Sequence, residues 1–232
     1  ADAAGRVAGG VDDPQAAERS RHWTRVATRD LAASSAVWGL APSMLLPAGI
    51  VPLSALLLLL TSWLFPIIAW LIKREDGGPV LFSQVRMGMD GRAFRLYKFR
   101  SMRVDAEDDG EGKWTRTNDP RVTRIGALLR RTNLDELPQL LNVFRGDMSL
   151  VGPRPEQPKF VEQFRSRYPA YHVRHRVRAG LTGWAQVNGL RGDTSIRQRV
   201  VHDLYYIENW SFSLDLRILW RTLRLAFHGA KA

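Results

Sequence analysis

The sequence predicts a mixed α/β fold that is mostly helical, with a membrane-inserted re-entrant helix before a small cytoplasmic domain of short strands and amphipathic interfacial helices. Three observations lead to this prediction. Residues 31–72 contain no Asp, Glu, Lys or Arg. Two short strand patterns flank the turn sequence MDGR at residues 89–92. Near the C-terminus, Leu and aromatic residues recur at spacings of three and four, as on one face of a helix.

Length and charge set the broad class of protein. The chain has 232 residues, enough for one domain of ordinary size plus an appendage. Its formal charge of +11 indicates an anionic partner, which can be a nucleic acid, an anionic membrane face or a phosphate-bearing substrate. There is no cysteine, so disulfides and thiolate-bound metals are excluded.

The N-terminal part divides into two segments. Residues 1–30 are predicted to be disordered and basic, because they begin with small and polar residues and lack apolar periodicity. Residues 31–73 form a segment longer than the roughly 18 apolar residues that suggest membrane insertion. Basic residues, which mark the cytoplasmic side of a membrane, stand at both of its ends. They are Arg19, Arg21, Arg25, Arg29, Lys73 and Arg74.

A segment with basic residues at both ends should enter and leave the membrane on the same face. A two-helix hairpin and a re-entrant, broken helix both do so, while a buried hairpin of a soluble protein is the alternative without a membrane. Prolines interrupt the helical pattern and favour the re-entrant geometry, since each one removes a backbone hydrogen bond. They are Pro42, Pro47, Pro52 and Pro66.

Residues 74–232 are predicted to form the cytoplasmic domain. Strands flank the MDGR turn, and residues 105–119 form an acidic loop that is either plainly solvated or a lid over a site. Helices are predicted at 121–131, 134–145 and 157–168. The C-terminal helix is either interfacial or a surface helix packed on the core. Its apolar residues are Leu216, Leu219, Trp220, Leu223 and Phe227, and its adjoining basic residues are Arg217, Arg221 and Arg224.

Two adjacent carboxylates, Asp135 and Glu136, are the candidate catalytic residues. Asn133 is predicted to cap the helix that carries them, with Glu136 returning a hydrogen bond to its backbone. The helix dipole would then favour both carboxylates in ionised form. Acids in a first helical turn often serve only as caps, so this pattern alone also fits a structural role.

The basic residues around Asp135 and Glu136 favour a catalytic role for this pair over a purely structural one. Arginine forks match phosphate oxygens, and an ionised Asp facing a phosphorus atom can attack it and form an acyl-phosphate. A Mg²⁺ ion held by a carboxylate and the phosphates would remove the charge repulsion. The residue types thus predict metal-assisted phosphoryl transfer. The basic residues are Lys98, Arg100, Arg130, Arg131, Arg145 and Arg154.

Five ordered blocks of the chain closely resemble the bacterial sugar transferase family, the monotopic polyprenyl-phosphate phosphoglycosyl transferases. The resemblance covers about residues 65–225. The blocks are KFRSM, NDPRVTRIG, LDELPQLLNVFRGDMSLVGPRP, VRAGLTGWAQVNG and LYYIENWS. Members commonly break the membrane helix at a Ser-Pro pair, which corresponds here to Phe65-Pro66.

The resemblance implies an activity and a place in the cell. A nucleoside-diphosphate sugar, usually a UDP-sugar, gives its phospho-sugar to polyprenyl phosphate and releases the nucleoside monophosphate. This reaction starts glycoconjugate or exopolysaccharide assembly at the cytoplasmic face of the bacterial inner membrane. The implied partners are the donor, the lipid acceptor and anionic lipids, with no nucleic acid, while a homo-oligomer is left open.

The resemblance also implies roles for residues. Asp135 matches the family's nucleophile and Glu136 its Mg²⁺-binding partner. Arg154 matches a phosphate ligand, and the segment GLTGWAQ at residues 180–186 is expected to shape the nucleotide pocket. The other implied substrate-binding residues are Lys98, Arg100 and Asp203.

Three other functions compete with this interpretation. A basic nucleic-acid-binding protein would explain the charge but not the uncharged segment. A membrane scaffold would keep the fold without needing Asp135. A nucleotide-sugar pyrophosphatase would use the same pocket but transfer the phosphoryl group to water instead of polyprenyl phosphate.

Overall fold

The computed structural model describes residues 41–107 and 119–228. The predicted N-terminal tail, residues 31–40 of the apolar segment and most of the acidic loop lie outside the described residues. The described part is a mixed α/β structure that is mostly helical, as the sequence predicts. Its longer helices are α1 (Ala41–Thr61), α2 (Leu64–Asp76), α3 (Arg124–Thr132), α5 (Pro158–Arg167), α7 (Ile196–Glu208) and α8 (Phe212–His228). Two short helices, α4 (Gln139–Phe144) and α6 (Trp184–Val187), lie between them.

Helices α1 and α2 form a bent pair. No single helix in the described ranges is long and apolar enough to cross a membrane. Val51–Thr61 and Leu64–Asp76 pass that test together, at an angle of 57°. Pro66 has no N–H to donate to the Ser62 carbonyl, which instead accepts from the Phe65 N–H at 3.2 Å. The bend therefore lies one turn before the predicted Phe65-Pro66 site.

The C-terminal end of α2 is joined to two elements of the following domain. The Glu75 carboxylate accepts from the first backbone N–H groups of α3, at 2.7 Å from Arg124 and 3.1 Å from Ile125. The neighbouring Asp76 carboxylate forms an ion pair with Arg100, just beyond strand β2. These contacts fix the C-terminal end of α2 against α3 and the residue that follows β2.

The predicted hairpin is confirmed. Strands β1 (Leu81–Met87) and β2 (Ala93–Phe99) pair antiparallel across a turn in which Asp90 and Gly91 have positive φ. The side chain of Asn142 covers the outer edge of β2, because it accepts from the Tyr97 N–H at 3.1 Å and donates to the Arg95 carbonyl at 2.8 Å. Helix α4, which carries Asn142, is thereby fixed against the hairpin.

A second pair of strands brings two glycine-containing segments into contact. Strands β3 (Ser149–Val151) and β4 (Gly180–Thr182) pair in parallel. The Gly152 N–H donates to the Thr182 carbonyl at 2.9 Å, and a Cβ atom on Gly180 would lie 2.1 Å from the Gly152 nitrogen. No side chain fits between these backbones, so the GLTG segment holds the GPRP turn that follows β3.

Helix α8 has two apolar faces. Leu214 and Ile218 are buried in the main core, which also contains side chains of α4, β3 and α7. A second apolar stripe on α8 is exposed, and it comprises Phe212, Leu216, Trp220 and Leu223. The helix therefore packs on the domain core, as one alternative predicts, and also presents the surface that an interfacial helix requires.

Candidate active site

The two carboxylates lie in a tight connection between α3 and α4. Asn133 ends α3 in the left-handed conformation, with φ of 56°, and Leu134–Glu136 form a single 3₁₀ turn. The prediction that Asn133 caps the next helix is wrong, and no side-chain cap is formed there. Asn tolerates this conformation better than most residues. Its side-chain oxygen accepts instead from Arg191 Nη1 at 2.7 Å.

The predicted continuous helix at 134–145 is also interrupted. The 3₁₀ turn ends at Glu136, and α4 begins at Gln139, directly after Pro138. Because a turn of three residues carries little of a helix dipole, the carboxylates depend on neighbouring side chains for stabilisation. The environment of each carboxylate therefore determines its ionisation.

Asp135 is a buried carboxylate, with 8% of its surface exposed. It accepts no hydrogen bond from the residues that the structure describes. Burial and the neighbouring Glu136 raise the pKa of Asp135 to about 6, against the attraction of Lys98, Arg130 and Arg154. The group is thus largely ionised at neutral pH, and none of the described residues donates a hydrogen bond to its oxygens.

Glu136 is held differently, although it is the next residue. Arg154 donates to both of its oxygens, with distances of 2.5 Å from Nη2 to Oε1 and 3.4 Å from Nη1 to Oε2. Burial opposes its ionisation, but Arg154 and then Arg191 outweigh burial and lower the pKa of Glu136. The two adjacent carboxylates therefore differ in both partners and proton affinity.

Arg154 makes contacts at both its guanidinium group and its main chain. Its Nη1 lies 3.3 Å from Oε1 of the buried Gln186 side chain. Its main-chain carbonyl accepts from Arg174 Nη2 at 2.9 Å. The GLTGWAQ segment, which includes Gln186, thus positions the arginine of the GPRP turn through both backbone and side-chain contacts.

Two further cations face the dyad. Lys98 comes from β2, and its Nζ lies 5.2 Å from the centre of the Phe82 ring. Burial lowers the pKa of Lys98 to about 8, although the charge of Asp135 opposes this change. Arg130 comes from the last turn of α3 and donates from Nε to Ser101 Oγ at 2.8 Å. These cations and Arg154 surround Asp135 with positive charge.

The other predicted basic residues lie elsewhere. Arg100 is buried and donates to Asp76 and to the Pro79 carbonyl, so the structure does not bring it to the dyad. Arg131 is exposed on α3. The exposed Arg145 lies over the Tyr97 ring, at 5.4 Å from the ring centre.

Asp203 is also remote from the dyad. It is buried on α7, and its Oδ2 lies 2.7 Å from Arg174 Nη2. Burial raises the pKa of Asp203, against the attraction of Arg174. Since the same Arg174 nitrogen reaches the Arg154 carbonyl, Asp203 is linked to the site through two intermediate groups.

Comparison with known sequences decides the family. The sequence profile described as bacterial sugar transferase matches residues 50–229. The chain belongs to this family. Among relatives, an exopolysaccharide production protein from Rhizobium leguminosarum is 50% identical over 178 residues, which are 74% of this chain and 88% of that protein.

Two further relatives of this bacterial sugar transferase are named for their reactions. The UDP-glucose:undecaprenyl-phosphate glucose-1-phosphate transferase of Escherichia coli is 47% identical over 75% of the chain and 38% of its own length. A UDP-N-acetylgalactosamine-undecaprenyl-phosphate N-acetylgalactosaminephosphotransferase of Aeromonas hydrophila is 49% identical over 69% and 38%, respectively. The chain therefore spans well under half the length of these two enzymes.

Arg191 is the site residue that sequence reasoning about this family member missed. It follows α6 in the segment NGLRGD, and it influences Glu136 and Asp135 electrostatically while bonding to Asn133. The only signal in the sequence is an arginine between glycines soon after the GLTGWAQ block. Nothing local indicates that this loop folds back onto residue 133.

The dyad fits one way of binding a divalent cation. Among residues 41–107 and 119–228, no group of three or more acidic or histidine side chains is arranged to hold a metal ion. Mg²⁺ in proteins commonly takes only one or two carboxylates and completes its coordination with water and substrate phosphates. The adjacent carboxylates of Asp135 and Glu136 meet that requirement.

The placement of Asp203 predicts a structural effect of its replacement. Asp203→Ala should lower the free energy of unfolding by about 2–3 kcal/mol, because it opens a cavity beside the buried Arg174 guanidinium and removes the acceptor at its Nη2. Denaturant unfolding at neutral pH measures this change. Unaltered stability with a raised KM for the sugar donor would instead support direct substrate binding by Asp203.

Proposed function

We propose that this bacterial sugar transferase moves a sugar-1-phosphate from a nucleoside-diphosphate sugar, of the UDP-hexose type, to undecaprenyl phosphate, with release of UMP. The names of the relatives support this reaction class. The observation that carries the proposal is the buried Asp135 carboxylate, which accepts no hydrogen bond from the described residues and is surrounded by cations. Such a group is suited to attack an electrophilic phosphorus atom.

In the first step, an Asp135 oxygen attacks the phosphorus that bears the sugar. A new oxygen–phosphorus bond forms, and the bond from that phosphorus to the bridging oxygen of the diphosphate breaks. The electron pair leaves with the nucleoside monophosphate. Asp135 then carries the sugar phosphate as a mixed acyl-phosphate.

In the second step, an oxygen of the polyprenyl phosphate attacks the same phosphorus. The acyl-phosphate bond breaks, the Asp135 carboxylate is regenerated, and a polyprenyl diphosphate sugar is released. One phosphoanhydride replaces another overall, so the residues have to stabilise the transition states rather than drive the equilibrium. Burial of Asp135 also limits access of water to the acyl-phosphate.

The cations of the site supply that stabilisation. Lys98 and Arg130 lie on the Asp135 side, where charge accumulates on the transferring phosphoryl oxygens. Arg154 and Arg191 lie on the Glu136 side and are placed to bind the second phosphate of the donor. When bound, Mg²⁺ would neutralise further phosphate charge, and Glu136 is the residue proposed to hold it.

The proposed acceptor requires a site at the level of the lipid headgroups. We assign the bent pair α1 and α2 to re-entrant insertion and the exposed apolar stripe of α8 to the interface. The 57° bend and the exposed Trp220 and Leu223 side chains support this assignment. The domain from residue 74 onward would then lie on the cytoplasmic face of the inner membrane, where exopolysaccharide assembly begins.

The covalent step is tested by intact mass spectrometry. Detergent-solubilised protein is incubated with Mg²⁺ and a panel of UDP-sugars, without polyprenyl phosphate. The expected result is a phospho-sugar adduct with one donor, mapped to Asp135 and lost when undecaprenyl phosphate is added. Turnover without any adduct would indicate direct transfer between the substrates, whereas loss of the adduct to water alone would indicate a pyrophosphatase.

The two shifted pKa values predict the pH profile of kcat/KM. Asp135 must be ionised to attack, so activity should rise as pH increases through about 6. Lys98 must be protonated to bind phosphate, so activity should fall as pH rises through about 8. Initial rates between pH 5 and pH 10 measure both limbs. Lys98→Arg should move the basic limb upward, and an unchanged limb would assign it to another group.

A further inference from the structure

We infer that Arg154 is a latch on Glu136, which keeps this carboxylate from binding a divalent cation until the donor diphosphate arrives. The inference rests on the proposed function, because it concerns how the same site accepts metal and donor. It is carried by the two hydrogen bonds between the Arg154 guanidinium and the two Glu136 oxygens. A cation at Glu136 would therefore meet a guanidinium already in place.

The surroundings of Arg154 favour a change of partner by the guanidinium alone. The backbone of residue 154 is fixed by Arg174 and by the glycine contacts of the GPRP turn. The side chain itself is 35% exposed, whereas that of Glu136 is 14% exposed. Arg154 can thus turn toward an incoming phosphate while its main chain stays in place.

Gln186 would limit how far the guanidinium moves. This buried amide contacts Arg154 Nη1, the nitrogen that makes the longer of the two bonds to Glu136. The shorter bond, from Nη2, is the one that has to break for Glu136 to be released. A phosphate offers the same paired acceptor geometry as a carboxylate, so the Arg154 guanidinium can exchange the Glu136 carboxylate for a phosphate.

The latch makes cation and diphosphate binding cooperative. In the free protein, Glu136 is paired and the affinity for a divalent cation is low. Once Arg154 binds the diphosphate, the Glu136 carboxylate becomes available to the cation. Because coupling between two ligands is reciprocal, each should strengthen the binding of the other by the same factor.

The test is binding of Mn²⁺ alone to the full chain in detergent, followed by loss of the electron paramagnetic resonance signal of free Mn²⁺. Arg154→Met removes the fork but keeps an unbranched side chain. We expect it to raise Mn²⁺ affinity about tenfold or more, in proportion to the loss of a paired, charged hydrogen bond. Adding Glu136→Gln to this variant should cancel the gain.

Arg130→Met is the matched control. It also removes one positive charge that acts on the dyad, but Arg130 bonds to Ser101 and not to Glu136. Arg130→Met should change the Mn²⁺ affinity by less than about threefold, as expected for a charge acting through a partly solvated site. Equal Mn²⁺ affinity in the wild type and Arg154→Met, or an equally large gain in Arg130→Met, would overturn the latch.

Two further measurements keep the result interpretable. Thermal unfolding shows whether Arg154→Met is folded, and Arg154→Lys, which keeps the charge but lacks the fork, should give a smaller gain in Mn²⁺ affinity. No sugar or lipid is present, so the outcome does not depend on the proposed transfer. An adduct on Asp135 without the gain in affinity would remove the latch and leave the proposed function in place.

Discussion

Asp135→Asn should abolish the phospho-sugar adduct and lower turnover by about 10⁴-fold or more, because an amide cannot replace the attacking carboxylate. Intact mass spectrometry and release of the nucleoside monophosphate measure the two effects. Glu136→Gln is the comparison, since it alters the adjacent carboxylate without removing the nucleophile. It should still form the adduct, at a reduced rate. Comparable activity of Asp135→Asn and the wild type would refute the assignment of the nucleophile.

The same replacement should stabilise the fold at neutral pH. The pKa of Asp135 is raised from the usual 3.8 to about 6, so the unfolded chain releases this proton at lower pH than the folded chain does. The resulting destabilisation is absent below about pH 4 and complete above about pH 6, where it amounts to about 3 kcal/mol. Asp135→Asn should therefore melt at a higher temperature than the wild type at pH 7.5, and the difference should shrink toward pH 4. A lower melting temperature at pH 7.5 would indicate that the carboxylate stabilises the fold.

Arg154→Ala is expected to have the second largest effect, a loss of about 10²- to 10³-fold in kcat/KM. It removes a proposed phosphate ligand and also leaves Glu136 without the guanidinium that lowers its pKa. Steady-state kinetics with varied donor concentration measure the loss. The matched control is Arg145→Ala, an exposed arginine that contacts Tyr97, and its kinetics should stay close to those of the wild type.

Vesicle binding shows whether Arg154→Ala weakens the candidate active site alone or also the association of the protein with membranes. Arg154 is part of the site and not of the exposed α8 stripe, so Arg154→Ala should still sediment with vesicles as the wild type does. A variant that loses vesicle binding but keeps its affinity for the donor would contradict the assigned role of Arg154.

The sequence predicts the dyad and its arginine because both lie in short continuous motifs. Asp135 and Glu136 are adjacent, and Arg154 stands in a rigid turn only one helix later. The bent helix pair is predictable for the same reason, since composition and proline positions are local properties. These elements need no knowledge of distant contacts.

The remaining features depend on contacts that local patterns do not reveal. Arg191 reaches Asn133 across 58 positions of the chain, and this contact accompanies the left-handed conformation that ends α3. Arg100 resembles Lys98 in the sequence, yet it lies beyond the end of β2 and pairs with Asp76. Which of two nearby basic residues faces the dyad is thus decided by an acid 24 positions earlier.

If the bent pair is inserted as proposed, the two acids at the end of α2, Glu75 and Asp76, determine how far the Asp135 carboxylate lies from the bilayer. Glu75 holds the start of α3, and α3 leads directly into the turn that carries Asp135. One extra residue in α2 would rotate both acids by about 100° and raise them by about 1.5 Å, away from Arg124 and Arg100. The length of α2 would therefore set the distance between the membrane and the turn that carries Asp135. If undecaprenyl phosphate is the acceptor, as proposed, the protein would meet it by lateral diffusion in two dimensions, because the depth of the Asp135 carboxylate would already be fixed.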